Sequence, residues 1–304
     1  MDSVASDSGS DASLLMRLNN RPVMGLALDH VTLLRLDRIA GLASGNKMFK
    51  LRENLVEARR RNVRRLVSFG GAWSNHLHAL AALARQENFE AIGLVRGAET
   101  ETAMLSDVQR WGMQVVKVSR QEYRRRNDAD YLEDIHRRYA PCLVIPEGGA
   151  NESGVRGCRA IARLVNTLAP ETERIVLPVG TGTTLAGLVS GLGQPVEVVG
   201  IAALKGASDL EARIRSALAV QDMVSGVKWQ VVHDHHCGGF ARVTPELREF
   251  IADFESSQGV PLEPVYTGKM LLAVHQLTSC AHWDRRPLLA LHTGGLQGRR
   301  GYDW

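Results

Sequence analysis

Cysteine is scarce in this chain of 304 residues, and Cys142, Cys158, Cys237 and Cys280 lie far apart with no CxxC pair among them. A chain this long builds a core without disulfide staples, so reduced thiols and a cytoplasmic setting are expected. Long apolar runs are missing too: none approaches a membrane span, and the Ser/Asp-rich residues 1–12 carry neither the basic nor the apolar part of a leader. A disordered start and no membrane partner are the expectation. Charge of one sign is also lacking. Lys+Arg 37 against Asp+Glu 33 leaves +4, too small an excess to build a nucleic-acid face. With aromatics at 5%, the runs Arg59–Arg61 and Arg124–Arg126 have no interleaved rings for bases to stack on, and read as solvated helix faces. The spacing GxGxxG is absent, as is GxxxxGK followed by Ser or Thr, which disfavours dinucleotides and ATP.

What is present is an ordinary globular balance, 44% hydrophobic and 23% charged, arranged as short apolar runs alternating with amphipathic stretches. That alternation predicts an α/β fold with open, twisted parallel sheets flanked by helices. Strands are expected at residues 65–69, 91–95, 114–118, 142–145, 175–179, 196–202 and 288–291. Helices are expected at 49–61, 74–86, 100–111, 129–139, 154–168, 183–192, 210–217 and 245–258, several opening on Asn, Ser, Asp or Thr caps.

Glycine gathers at three strand-to-helix turns. In Leu177–Gly187 an apolar strand breaks into Gly180-Thr181-Gly182-Thr183-Thr184 and then starts a helix. Glycines allow close backbone approach, and free N–H groups at the positive end of the helix dipole suit a phosphate. The turn Ser68–His76 places Ser74 and Asn75 at a helix start, where capping competes with ligand binding. A third turn, Ile145–Gly154, repeats the design. Three such turns at carboxyl ends of strands are what a ligand crevice in an open α/β sheet requires.

Lys50 follows a Gly-Asn bend and is expected in the first turn of a helix, where the dipole lowers an amine pKa. A neutral amine forms Schiff bases. Most lysines are solvated surface charges, yet a phosphate cradle and such a lysine in one chain meet the two needs of pyridoxal phosphate.

Six motifs, SGNKMFKL, FGGAWSNHLHALAA, IPEGGANESGVRGC, VGTGTTLAGL, PVYTGKM and LHTGGLQG, run in order along the chain. On these the sequence resembles the tryptophan-synthase-β-like, fold type II pyridoxal-phosphate enzymes. Within them it is similar to the 1-aminocyclopropane-1-carboxylate deaminase/D-cysteine desulfhydrase family. The resemblance implies two domains, residues 13–50 with 156–304 forming a large cofactor-binding domain and 51–155 a smaller inserted one. It implies that Lys50 holds the cofactor in an imine linkage and later moves the substrate α-proton. By the same resemblance Asn75 bonds the cofactor's ring hydroxyl and Ser74 faces the substrate carboxylate or moves a proton. Gly180, Thr181, Gly182, Thr183 and Thr184 match the phosphate loop, Tyr266 an active-site tyrosine, and Thr293 a hydroxyl facing the pyridine nitrogen. Homodimers are common among such folds.

Two departures shape the expected chemistry. Thr267 follows Tyr266 where the deaminases carry Glu, as in the desulfhydrases, and a hydroxyl cannot protonate the pyridine nitrogen as a carboxylic acid can. Phe240 stands where both branches carry a second tyrosine. The expectation is α,β-elimination from a small amino acid such as D-cysteine, giving pyruvate, ammonia and sulfide. The alternatives are a deaminase-like hydrolase and a non-catalytic cofactor-binding protein of the same fold. His233, Asp234, His235, His236 and Cys237 are not expected to bind metal, since strand alternation sends His236 to the opposite face from its neighbours.

Overall fold

The computed structural model describes residues 12–97, 101–220 and 226–303. The expected disordered start lies outside the described residues except for Ala12, which opens a 3-10 turn to Leu14. In chain order the strands are β1 Leu15–Arg17, β2 Pro22–Val23, β3 Leu26–Ala27, β4 Val31–Arg35, β5 Arg65–Gly70, β6 Glu90–Arg96, β7 Gln114–Val118, β8 Cys142–Ile145, β9 Arg174–Val179, β10 Glu197–Ala202, β11 Lys228–Val232 and β12 Leu288–His292. The helices are α1 Asn46–Arg60, α2 Asn75–Gln86, α3 Ala103–Arg110, α4 Arg120–Arg124, α5 Ala129–Tyr139, α6 Glu152–Leu168, α7 Thr183–Gly191, α8 Leu210–Ala219, α9 Pro245–Gln258 and α10 Thr267–Ser279. Residues 1–39 with 159–296 form one compact unit, and 40–158 with 297–304 the other.

The larger unit holds a six-stranded sheet in the order β1-β4-β12-β9-β10-β11, parallel except for the β1–β4 pair. Its strands β9 and β12 are buried along their whole length and apolar apart from Arg174 and His292 at their ends, the pattern of a parallel sheet covered on both faces. Phe250, Ile251 and Phe254 of α9 pack with Leu271, Leu272 and Val274 of α10 and with Val176, Val199 and Ile201 of the sheet. Helix α9 starts on the Thr244 hydroxyl, which accepts from Leu247 N at 3.2 Å, with Pro245 in the first turn; it ends at Gly259, whose φ of 67° reverses the chain.

The smaller unit holds a fully parallel sheet, β7-β6-β5-β8. Leu66, Leu77, Leu80, Met104 and Leu105 form one apolar cluster in this unit. Phe69, Ile92, Tyr123, Tyr131 and Ile135 form another.

The expected strands and helices all appear, and β1, β2, β3, β4, β11, α4 and α10 appear beyond them. Strand β11 is only partly buried and α4 is a single turn. Helix α10 was invisible for the opposite reason. Nearly all its residues are buried, so it has no polar face and no 3.6-residue alternation. Among the described residues no helix is long and apolar enough to cross a membrane.

Candidate active site

In the smaller sheet the chain passes from β5 outward to β6 and β7, then returns to β8 on the other side of β5. The strand order therefore reverses between β5 and β8, and the turns leaving their carboxyl ends flank the point where open α/β sheets bind ligands. The turn after β5 carries Ser74 and Asn75. Ser74 Oγ accepts from Leu77 N at 3.2 Å and caps α2, which leaves its O–H proton to give. Asn75 Oδ1 accepts from Gln297 Nε2 at 2.5 Å.

The turn after β8 does something different from its sequence expectation: it packs on the helix of Lys50. Gly149 is left-handed, with φ 69°, and a Cβ there would meet Lys50 Cβ at 3.2 Å. A Cβ on Gly157 would fall 2.0 Å from Phe49 O, so α6 crosses α1 at backbone distance. Asn151 Nδ2 donates to Asn54 Oδ1 at 2.7 Å, and Asn54 Nδ2 donates to Lys50 O at 2.7 Å. The glycines of IPEGGANESGVRGC thus serve close packing around the lysine.

Lys50 sits in the second turn of α1, because the helix begins at Asn46 rather than near Phe49. The expected effect of the helix dipole gives way to burial. At 3% exposure the amine loses its hydration, which lowers its pKa, while Cys158 acts the other way. Near it lies His76, whose tautomer is fixed. Ser68 Oγ donates to Ile145 O at 2.7 Å and so accepts at 2.9 Å from His76 Nε2. Its Nδ1 is buried with no hydrogen-bond partner, and desolvation first, then Lys47 and Lys50, drops the ring's pKa to about 3.

The larger sheet reverses at β9 and β12, since β10 and β11 extend one way and β12 and β4 the other. After β9 come Gly180, Thr181 and Gly182, and α7 begins at Thr183. Gly182 has φ 83°, and a Cβ there would lie 2.6 Å from Ile214 Cγ1, so only glycine fits. Thr181 Oγ1 and Thr183 Oγ1 are 2.9 Å apart, and Thr183 and Thr184 are buried. The ring of Tyr266 lies against this loop, its Cε1 3.2 Å from the position of a Cβ on Gly180. After β12 comes Thr293, buried, followed by left-handed Gly294 and Gly295. His292, at the strand end, is held by Pro261 O at 2.8 Å and by Asp37 at 3.1 Å.

On this unit Glu263, Lys269 and Glu246 escaped the sequence reading. Glu263 is buried and serves the start of α10: Oε2 accepts from Val265 N at 2.8 Å, and Oε1 from Tyr266 N at 2.8 Å and Thr267 N at 2.5 Å. The signal was there, because Tyr266 at the N-cap has no side-chain acceptor for those amides. Lys269 Nζ donates to Gly239 O at 2.6 Å and anchors the loop before Phe240, and burial lowers its pKa. Phe240 is 53% exposed, its ring 6.4 Å from that of Tyr266. Glu246 reaches the same region through Gln276. The three histidines take separate partners: His233 bonds Glu211 at 2.7 Å, His235 bonds Gln276 at 2.8 Å, and His236 Nδ1 accepts from Gly238 N at 3.0 Å.

A buried amine whose pKa is lowered, beside one sheet reversal, and a Gly/Thr helix start at the other, are the equipment of an enzyme that anchors a phosphate and forms an imine. Comparison with known proteins gives the family. Residues 29–294 match the pyridoxal-phosphate dependent enzyme family, and the chain belongs to it. A Thermotoga maritima protein, provisionally named a 1-aminocyclopropane-1-carboxylate deaminase, is 31% identical over 84% of this chain and 86% of its own length. A D-cysteine desulfhydrase of Klebsiella pneumoniae is 27% identical over 85% of this chain and 84% of its own. The crystal structure of an ACC deaminase homologue superposes with a TM-score of 0.79 at 26% identity, covering 88% and 85% of the two chains. The fold is that of the fold type II pyridoxal-phosphate enzymes. The residues present fit the cofactor: the desolvated Lys50 would supply the amine, and the loop that tolerates no Cβ at Gly182 leaves room for a phosphate against its backbone.

Proposed function

We propose that this enzyme catalyses α,β-elimination from D-cysteine: with one water, the substrate yields pyruvate, ammonia and hydrogen sulfide. When bound, pyridoxal phosphate supplies the carbonyl carbon that takes an amine as an imine and the ring that acidifies the neighbouring C–H. Lys50 would be the amine that holds it and the base that takes the substrate α-proton. Its burial keeps a larger neutral fraction for both tasks. Gly180, Thr181, Gly182, Thr183 and Thr184 would hold the phosphate, Asn75 would donate to the ring oxygen, and Thr293 would offer its hydroxyl to the pyridine nitrogen. Ser74 binds the substrate carboxylate through its remaining O–H proton, and Tyr266 borders the substrate. A cytoplasmic homodimer completes this reading.

The observation that carries elimination over cyclopropane opening is the state of Thr267. It is fully buried and its hydroxyl is 3.0 Å from Glu263 Oε1, so the position after Tyr266 offers no carboxylic acid. The 31% identity to the Thermotoga protein favours deaminase activity as the second reading. The test is the visible spectrum of the holoenzyme and of Lys50→Ala, followed by D-cysteine in one cuvette and 1-aminocyclopropane-1-carboxylate in another. A Lys50-dependent band with sulfide and pyruvate released together supports the proposal. Release of a four-carbon 2-oxo acid and ammonia from the cyclopropane alone moves the assignment to the deaminase, and a band that ignores both substrates refutes both.

A further inference from the structure

Residues 297–301 lie along the turn that carries Asn75. Gly301 packs on the Trp73 indole, where a Cβ would come within 2.8 Å of Cε2, and Arg300 pairs with Asp107 at 2.5 Å. Asp107 also lies 3.6 Å from His78 on α2. Pinned on this side, Gln297 turns its amide toward the turn. Its Nε2 donates to Trp73 O at 3.4 Å and to Asn75 Oδ1 at 2.5 Å.

The order of these bonds sets an orientation. A backbone carbonyl only accepts, so the group that Gln297 shows to Trp73 O is its NH2. The same NH2 meets Asn75, so Asn75 presents its oxygen there and keeps its Nδ2 donors for a ligand. An amide turned the other way would offer an acceptor instead. A ring oxygen that carries negative charge needs the donor.

We propose that Gln297 is a positioning residue that sets which way round the Asn75 amide sits, and so the hydrogen bond offered to the cofactor's ring oxygen. This rests on the reading of Asn75 as the residue that faces that oxygen. Relayed from Trp73 O, the orientation favours the ionised ring oxygen and lowers the pH at which the bound chromophore titrates.

The test titrates apo-protein with pyridoxal 5'-phosphate and follows the visible band of the loaded protein across pH, for wild type, Gln297→Glu, Gln297→Leu, Asn75→Ala and the double variant Asn75→Ala/Gln297→Glu. In Gln297→Glu the carboxylate only accepts, so Asn75 must turn its Nδ2 toward it. The expected result is about tenfold weaker cofactor binding and a titration midpoint raised by about one pH unit. Gln297→Leu, of similar bulk, leaves the amide unbiased, with an expected loss of about threefold; it carries the test if the carboxylate variant does not fold. In the Asn75→Ala background Gln297→Glu is expected to add nothing. A wild-type midpoint and affinity in both Gln297 variants, with Asn75→Ala still impaired, overturns the relay. An undiminished Gln297 effect in the Asn75→Ala background overturns it as well, by showing a purely structural role. No change in Asn75→Ala overturns instead the reading of Asn75.

Discussion

The carboxylate of Glu263 holds both polar groups of Thr267, accepting the backbone N–H at 2.5 Å and contacting the hydroxyl at 3.0 Å. The pair ties the residue that distinguishes this chain from the deaminase pattern to the start of the helix that follows it. Burial raises the Glu263 pKa, while hydrogen bonds from Thr267 and Val265 oppose that shift. A second carboxyl at position 267 would meet the first in a site without solvent.

Thr267→Glu, the substitution that restores the deaminase residue, is therefore expected to destabilise the fold by about 3 kcal/mol, as an unpaired buried charge does. Glu263→Ala leaves the first amides of the helix unsatisfied and should cost about 2 kcal/mol. Urea denaturation measures both. A Thr267→Glu protein as stable as wild type would show that the position can reach water.

Phe240→Tyr should leave stability within about 0.5 kcal/mol, because the ring is half exposed, while supplying a phenol beside Tyr266. We expect kcat on D-cysteine to rise about tenfold, the low end of what a placed acid or base contributes. An unchanged kcat with normal folding would remove this ring from the reaction.

His76 makes stability depend on pH in a definite direction. Its pKa falls from 6.5 to about 3 on folding, so between those values the unfolded chain binds the extra proton. Stability from this group is complete above about pH 6.5 and is lost as pH falls toward about 3. His76→Gln keeps a donor for Ser68 and removes the titration. Its unfolding free energy should decline less steeply over that window, by up to about 1.4 kcal/mol per pH unit. Parallel wild-type and variant curves would contradict the assignment.

The two glycines of the phosphate loop should fail differently. Gly182→Ala meets both a positive φ and Ile214, and should cost about 2 kcal/mol together with cofactor affinity. Gly180→Ala meets only the edge of Tyr266 and should fold normally with a raised KM. Thermal unfolding and steady-state kinetics separate the two. A Gly180→Ala enzyme with wild-type kinetics would place the tyrosine away from substrate.

Most of the architecture was legible because parallel strands are compact apolar runs bounded by charge or glycine, as Ile175–Val179 and Leu288–Leu291 are. Strand β4 escaped although it is such a run, and two other elements had no pattern to show. Helix α10 is buried on nearly every side, so its polar residues mark no solvent face, and β11 is too exposed for an apolar run. At the site, Lys50 was legible from its motif, but the cause of its lowered pKa was not, since burial by α6 and Gly149 depends on residues a hundred positions away. Glu263 and Gln297 act through backbone amides and another side chain, relations that only the folded chain brings together.

The smaller unit is split in sequence, its residues 297–304 following the whole of 159–296. On the ribosome the Asn75 turn therefore waits for Gln297, Gly301 and Arg300 until more than a hundred further residues have been added. During that interval residues 40–158 exist without the strap over Trp73. Chaperone demand and protease sensitivity during synthesis should concentrate there, and the turn that orients Asn75 becomes a late checkpoint of assembly.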